Sequence, residues 1–328
     1  MSTSAELASL AGDLRDRLPD ATTEGASFAE LSTYRVGGRV AVLVRAQDVD
    51  ALAAVAEVAR RRRPPLLVIG RGSNLLMSDV GFSGLVVVLE GEFEAIELPD
   101  QLPEALPADG AAEKGLLRAG GAVPLPVLAR RAAAAGFAGV EFFVGIPGSV
   151  GGAVRMNAGG HGRETVEVLR RAWVLDLLDG NGGAAAQARK VEELDLGYRH
   201  SNLRASEVVT AAEFAVTPDD AEACEARVAE VVRWRREHQP GGQNAGSVFR
   251  NPPGDSAGRL IDAAGLKGLR VGGAVVSDKH ANFFQAEAGA TARDVIDLVA
   301  EVQRRVAEST GVELVPELHV VGDDAGST

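Results

Sequence analysis

Two glycine-rich stretches have the composition to hold an anion with main-chain groups. GRGSNLL (70–76) continues directly from the apolar run LLVIG (66–70). Its Gly70-Arg71-Gly72 step lets backbone approach a phosphate, and Ser73 and Asn74 add side-chain donors and acceptors ahead of Leu75. The second stretch, 141–160, reads EFFVGIPGSVGGAVRMNAGG and has no apolar run at helical spacing. Its Pro147-Gly148 step sets a tight turn, and successive N–H groups around such turns form concavities for anions. Each stretch by itself is equally well a plain turn or a surface loop. Together they could face one elongated ligand with a pyrophosphate, as a flavin dinucleotide has.

Neither stretch is a common nucleotide motif. GRGSNLL lacks the third glycine opening a helix, and the acid about 20 residues on, that mark a dinucleotide fingerprint. It also lacks the Gly-Lys-Ser/Thr of a nucleotide-hydrolase loop. Arginine is the other group suited to carboxylates and phosphates, because its planar fork is always charged. Arg199, in YRHS (198–201), reads on pattern alone as a structural arginine at a strand edge. Arg235 and Arg236 close a helical pattern, where interaction with the helix dipole explains them as well as a ligand would. Cys224 is the single cysteine, in an Ala/Glu-rich helical pattern that suggests packing, and no cluster has zinc-ligand spacing.

These residues need elements to present them. Leu7, Leu10, Leu14 and Leu18 predict an amphipathic helix over 1–20. A strand at 40–46, a helix at 48–63 capped by Asp48 and stopped by Pro64-Pro65, and a strand at 66–70 form a βαβ unit, with another strand at 85–90. The acidic, proline-bearing segment 93–115 reads as a surface loop. A strand at 116–121, a helix at 124–136, strands at 167–177 and 208–216 with the turn DGNGGAAAQ between them, and a helix at 219–238 follow. Beyond them come a helix at 257–265, strands near 269–276 and 281–287, a helix at 291–309 and a strand at 312–321. The layout is α+β: an extension (1–29), two subdomains (30–90 and 91–218), a C-terminal domain (219–322) and a tail (323–328).

The net charge of −12 and an aromatic content of 4% oppose nucleic-acid binding, which needs phosphate neutralisation and stacking surfaces. No segment approaches the ~18 continuous apolar residues of a membrane span, and the N-terminus carries acids where a secretory signal needs positive charge. The expectation is a cytoplasmic monomer acting on small molecules, without metal.

Eight segments occur in the order of one family. YRVGG (34–38), GRGSNLL (70–76), IPGSVGGAVRMNAGGHG (146–162), YRHS (198–201), GSVFRNPPG (246–254), AGRLIDAAGLKG (257–268), GGAVVSDKHANF (272–283) and VELVPELHVVG (312–322) closely resemble the UDP-N-acetylenolpyruvoylglucosamine reductase (MurB) family, over roughly residues 30–322. The resemblance implies a vanillyl-alcohol-oxidase-like FAD-binding fold in two subdomains with a C-terminal substrate domain. It implies non-covalent FAD reduced by NADPH, and reduction of the enolpyruvyl ether of UDP-N-acetylglucosamine to UDP-N-acetylmuramate for peptidoglycan. KHANF, with no tyrosine in the C-terminal half, is similar to the family's second subtype.

Hydride delivery to the terminal enolpyruvyl carbon leaves charge on the adjacent carbon and carboxylate, which must be stabilised and then protonated. The resemblance nominates Arg199 for the charge, Ser247 as proton donor and Glu317, in preference to Glu313, as the glutamate that polarises the enol. It nominates Asn251 for substrate; Arg235 and Arg236, at the end of a helix just before that loop, are candidates for the substrate diphosphate, and Tyr198 is a further substrate contact. Arg35, Gly70–Leu75, Pro147, Gly148, Ser149, Gly151, Gly152, Asn157, Ala158 and Gly159 are the FAD contacts it implies. Lys279, His280 and His161 carry no assigned role. Two other readings share these loops: a flavin oxidase of an alcohol or sugar, and a nucleotide-sugar-binding regulator.

Overall fold

The computed structural model describes residues 3–99, 115–179 and 185–323. Most of the loop expected at 93–115, part of the turn expected at 179–187 and nearly all of the tail lie outside the described residues.

The first lobe is a four-stranded sheet with two helices on one face. Helix α1 (Ser4–Arg17) is capped by Thr3, and α2 (Val49–Arg62) by Asp48, whose side chain accepts from Ala51 N–H at 2.7 Å. Strand Phe82–Leu89 lies centrally, parallel to Arg39–Ala46 on one side and to Leu66–Ile69 on the other; Thr22–Ser27 adds an antiparallel edge. The alternation along the central strand divides the core. Leu85, Val87 and Leu89 pack under α1 and α2, while Val86 and Val88 meet Phe28, Ile69 and Met77 on the other face. The expected βαβ unit is present, and Thr22–Ser27 was not anticipated.

The second lobe is an antiparallel sheet in the order Gln187–Lys190, Leu169–Asp176, Glu207–Pro218, Gly115–Gly120, Ile96–Glu97. Ile96–Glu97 falls inside the segment expected to be loop; pairing with Ala119 and Arg118 makes it an edge strand. Helix α3 (Leu125–Ala134), the short helices α4 (Val150–Met156) and α5 (Thr165–Val168), and α6 (Ala221–His238) complete this lobe. The presence of α6 here corrects the boundary near 217–220. Cys224 and Val228 are buried in the same core as Leu128, Phe143 and Phe214, so the change of lobe comes after α6.

The third lobe packs α7 (Ala257–Ala263) and α8 (Ala292–Thr310) against the hairpin sheet Arg270–Val271, Ala274–Val276, Phe284–Ala286. Ala292, Val295, Leu298, Val302 and Val306 form the buried stripe of α8. Its core also takes Tyr34, Val36 and Leu76 from the first lobe. The chain then returns: His319–Val321 pairs in parallel with Leu75–Met77. Only this end of the strand expected over 312–321 forms. Pro316 has no N–H for a ladder, and the preceding residues make one isolated bridge, Phe249 to Pro316.

Candidate active site

The two glycine-rich stretches meet. A Cβ on Gly70 would lie 2.3 Å from Ser149 Oγ, and one on Gly72, where φ is +58°, would lie 2.1 Å from Leu31 O. Only glycine permits these approaches. They close one wall of a cavity of about 1120 Å³ lined by Arg35, Gly70, Arg71, Gly121, Ser149, Gly151 and Gly152 among others. That volume is at the upper end for small-molecule sites and suits a large, elongated ligand.

The donors are distributed differently from the sequence expectation. In 150–152 the N–H groups are already spent: Val150 donates to Val123 O (3.0 Å), Gly151 to Gly121 O (2.9 Å) and Gly152 to Ser149 Oγ (3.4 Å), while those of Gly148 and Ser149 have no protein acceptor among the described residues. The stretch is also not all loop, since α4 begins at Val150 with Ser149 as its cap. Tertiary bonds to strand-end carbonyls offset the poor helix propensity of Gly151 and Gly152. By contrast, the N–H groups of Arg71, Gly72, Ser73 and Asn74 have no protein acceptor among the described residues. Arg35 and Arg71 are exposed and have no ion-pair partner among the described residues. Free amides beside two free guanidinium groups make a cradle for a diphosphate. The residues fit an FAD pyrophosphate on this observation, with 70–74 as donors and 148–152 as clearance.

Several nominated residues do other work. Asn74 Nδ2 donates to Glu317 O (3.1 Å), and Asn74 O accepts from His319 N–H (3.1 Å). Leu75 opens the strand paired with His319. Asn157 is fully buried at φ +41°. Its Nδ2 donates to Glu164 Oε2 (2.9 Å) and Gly197 O (3.0 Å), and its Oδ1 accepts from Val166 N–H (2.9 Å). Both amide hydrogens are committed to protein and the side chain is shut off from solvent, so a contact of Asn157 with FAD is left to its backbone. Ala158 O accepts from Thr165, and Gly159 pairs with Glu164. Pro147 and Gly148 precede the cap, and a Cβ on Gly148 would be 3.6 Å from Ser73 Oγ.

Arg199, Ser247 and Glu317 belong to segments brought together from all parts of the chain. Arg199 has φ +53°, its guanidinium lies over the exposed Tyr198 ring (4.8 Å), and its Nε donates to Glu317 Oε1 at 2.5 Å. Both side chains are largely buried, at 17% and 14% exposure. Burial pushes the Glu317 carboxyl above the usual carboxylate range, with the charges of Arg199 and Arg250 pulling the other way. Glu317 N–H donates to Val248 O (2.7 Å). Its neighbour in sequence, Ser247, is half-buried, and Ser247 Oγ makes no hydrogen bond among the described residues. Glu313 is exposed.

Asn251 is exposed, with Oδ1 accepting from Ala257 N–H (3.1 Å) at the start of α7. Arg235 Nε donates to Gln239 Oε1 (2.7 Å), Arg236 is exposed, and Lys279 Nζ donates to Arg236 O. Neither arginine touches Arg199, Ser247 or Glu317 among the described residues. His161 packs edge-on against Trp234, and burial lowers its pKa; His280 Nδ1 accepts from Asn282 N–H (3.2 Å).

Three structural residues escaped sequence reasoning. Arg155 lines the cavity and donates to Leu203 O (3.2 Å), Arg204 O (2.9 Å) and Glu207 O (2.8 Å), holding the segment after YRHS. Asn282 is buried and exchanges both hydrogen bonds with Phe249, at 3.0 and 2.8 Å. Gly121 abuts Val209 O. An arginine inside a glycine-rich stretch was a visible signal; the other two carried none.

Residues 238–321 match the C-terminal domain of UDP-N-acetylenolpyruvoylglucosamine reductase, and residues 40–182 match an FAD binding domain. The reductase of Methylorubrum populi is 42% identical over 319 residues, 97% of this chain and 96% of that one. The reductase of Heliobacterium modesticaldum is 41% identical over 298 residues, 90% and 89% of the two chains. The chain belongs to the UDP-N-acetylenolpyruvoylglucosamine reductase family. A solved structure of the Thermus caldophilus reductase superposes with a TM-score of 0.74 at 37% identity, covering 90% of this chain and 98% of that one. The α+β, vanillyl-alcohol-oxidase-like FAD-binding fold expected from the sequence is the fold this chain has. No helix among the described residues is long and apolar enough to cross a membrane.

Proposed function

We propose that this chain reduces the enolpyruvyl ether of UDP-N-acetylglucosamine to UDP-N-acetylmuramate, using NADPH as the electron source and Arg199, Ser247 and Glu317 as the reacting set. Membership of the reductase family and the matched FAD binding domain support the reaction. The buried Arg199–Glu317 pair carries the assignment of residues, because it brings a strong anion partner and a carboxyl of raised pKa to the end of the loop that cradles the cofactor.

FAD bound in this cavity would supply a two-electron relay between NADPH and the enolpyruvyl group. Arg71, Arg35 and the 71–74 amides hold its pyrophosphate. Arg199 pairs with the substrate carboxylate and stabilises the charge that spreads onto it. Glu317, whose pKa burial raises against the pull of Arg199 and Arg250, hydrogen-bonds the developing enol. Ser247 Oγ, free of protein partners, gives its proton to the adjacent carbon, and the serine is reprotonated from solvent. Asn251 and Tyr198 contact the sugar nucleotide, with Arg235 and Arg236 on the side of its diphosphate.

We read the chain as a cytoplasmic monomer in cell-wall precursor synthesis, and with it in cell shape and division. The test is spectroscopic. Anaerobic NADPH should bleach the flavin of the purified protein, and enolpyruvyl-UDP-N-acetylglucosamine should restore it. Rapid recovery with oxygen, and none with that substrate, would assign the chain to the oxidases instead.

A further inference from the structure

We propose that Glu164 is a positioning residue that steadies the Arg199 guanidinium through a different nitrogen from the one Glu317 binds, an inference that rests on the catalytic reading of Arg199. Arg199 Nη1 lies 3.9 Å from Glu164 Oε1 while its Nε is bonded to Glu317. The guanidinium is planar, so the hydrogen bond at Nε and the longer ion pair at Nη1 together bias its rotation as well as its place. The remaining N–H groups are then aimed at one direction, which is what binding a substrate carboxylate at a reacting carbon requires.

Glu164 is itself fixed. Its second oxygen accepts from Asn157 Nδ2 (2.9 Å), and the same amide group bonds Gly197 O in the loop that carries Arg199. Asn157 thus ties the carboxylate and the arginine's own backbone to one buried point. Gly159 supplies the room: a Cβ there would lie 3.0 Å from Glu164 Cγ and 3.5 Å from Arg199 Nη1. Glu164 touches neither substrate nor cofactor in this arrangement. It matters most when Glu317 turns toward the enol and loosens its hold on Arg199.

Glu164→Gln keeps the shape and the acceptor for Asn157 but removes the charge, and Glu164→Asp keeps the charge at shorter reach. In the holoenzyme, Glu164→Gln should slow flavin reoxidation by enolpyruvyl-UDP-N-acetylglucosamine by about tenfold, as misaimed catalytic groups do. Flavin reduction by NADPH should stay within about twofold of the parent. Loss of a negative charge beside Arg199 should leave equilibrium binding of that anionic substrate at least as tight, measured by titration of the oxidised enzyme. Glu164→Asp should regain part of the reoxidation rate. Reoxidation at the parent's rate in Glu164→Gln overturns the proposal, and so does weaker substrate binding with equal loss in both half-reactions, which makes Glu164 a fold residue. Failure of the unmodified enzyme to be reoxidised by this substrate would instead reject the catalytic reading itself.

Discussion

Removing the Ser247 hydroxyl separates chemistry from architecture more cleanly than any other change in the site. Ser247 is half-buried and its Oγ has no hydrogen-bond partner among the described residues. Ser247→Ala therefore orphans no protein group, and its main-chain bridge to Phe283 is unaffected. Stability should change by no more than about 0.5 kcal/mol. A positioned acid is worth about 10²–10⁴ in rate, so the lost proton donor should add about 3–5 kcal/mol to the barrier of the second half-reaction. Stopped-flow absorbance of the flavin resolves the two halves. Bleaching by NADPH should proceed at close to the parent's rate, and recovery on adding enolpyruvyl-UDP-N-acetylglucosamine should fall by that factor. Ser247→Cys, with a more acidic donor, should recover part of it. Equal slowing of both halves, or recovery within about threefold of the parent, would refute the assignment of Ser247 as proton donor.

Three more outcomes follow from the geometry. Gly72→Ala places a Cβ 2.1 Å from Leu31 O at φ +58°, so the first lobe should lose about 3 kcal/mol or more and the purified protein should retain little flavin; a fully yellow preparation of unchanged melting temperature contradicts this. Asn74→Ala removes the bond to Glu317 O and should cost about 1–2 kcal/mol by denaturant unfolding, with reoxidation slowed more than reduction; a loss confined to reduction would place Asn74 on the cofactor alone. Glu317→Gln tests the raised carboxyl through linkage. A carboxyl whose folded pKa lies above its unfolded one binds more protons when folded, so it contributes stability at low pH that is lost as pH rises through the folded value. Stability of Glu317→Gln relative to the parent should then be flat in acid and increase across that window; a relative decrease with rising pH would mean the Arg199 charge outweighs burial.

The local elements were legible because local rules produce them. Asp48 before Leu52, Val55 and Ala59 specifies α2 without reference to anything else, and the stripe of α8 does the same. Where a distant partner decides, the sequence misled. Helix α4 has two glycines in its first turn and exists because Val123 O and Gly121 O take its N–H groups. Helix α6 was legible as a helix, but only its contact with Phe143 and Phe214 assigns it to the second lobe. Pro316 was visible throughout, and it interrupts the strand that alternation predicted. Arg199, Ser247 and Glu317 could be named only because their motifs occur in a family's order; no spacing relates residues so far apart.

The supporting residues mark the limit most clearly. Asn157 and Gly159 were expected to press on a flavin because they belong to a glycine-rich loop, and glycine in such loops is often clearance for a ligand. Their side chains and clearance also serve protein: both Asn157 amide hydrogens go to Glu164 and Gly197, its oxygen accepts from Val166, and Gly159 makes room for Glu164 and Arg199. The stretch at 141–160 thus has two ends with different work. Around Ser149–Gly152 it closes the large cavity against Gly70, and around Asn157–Gly159 it packs against Glu164 and Arg199.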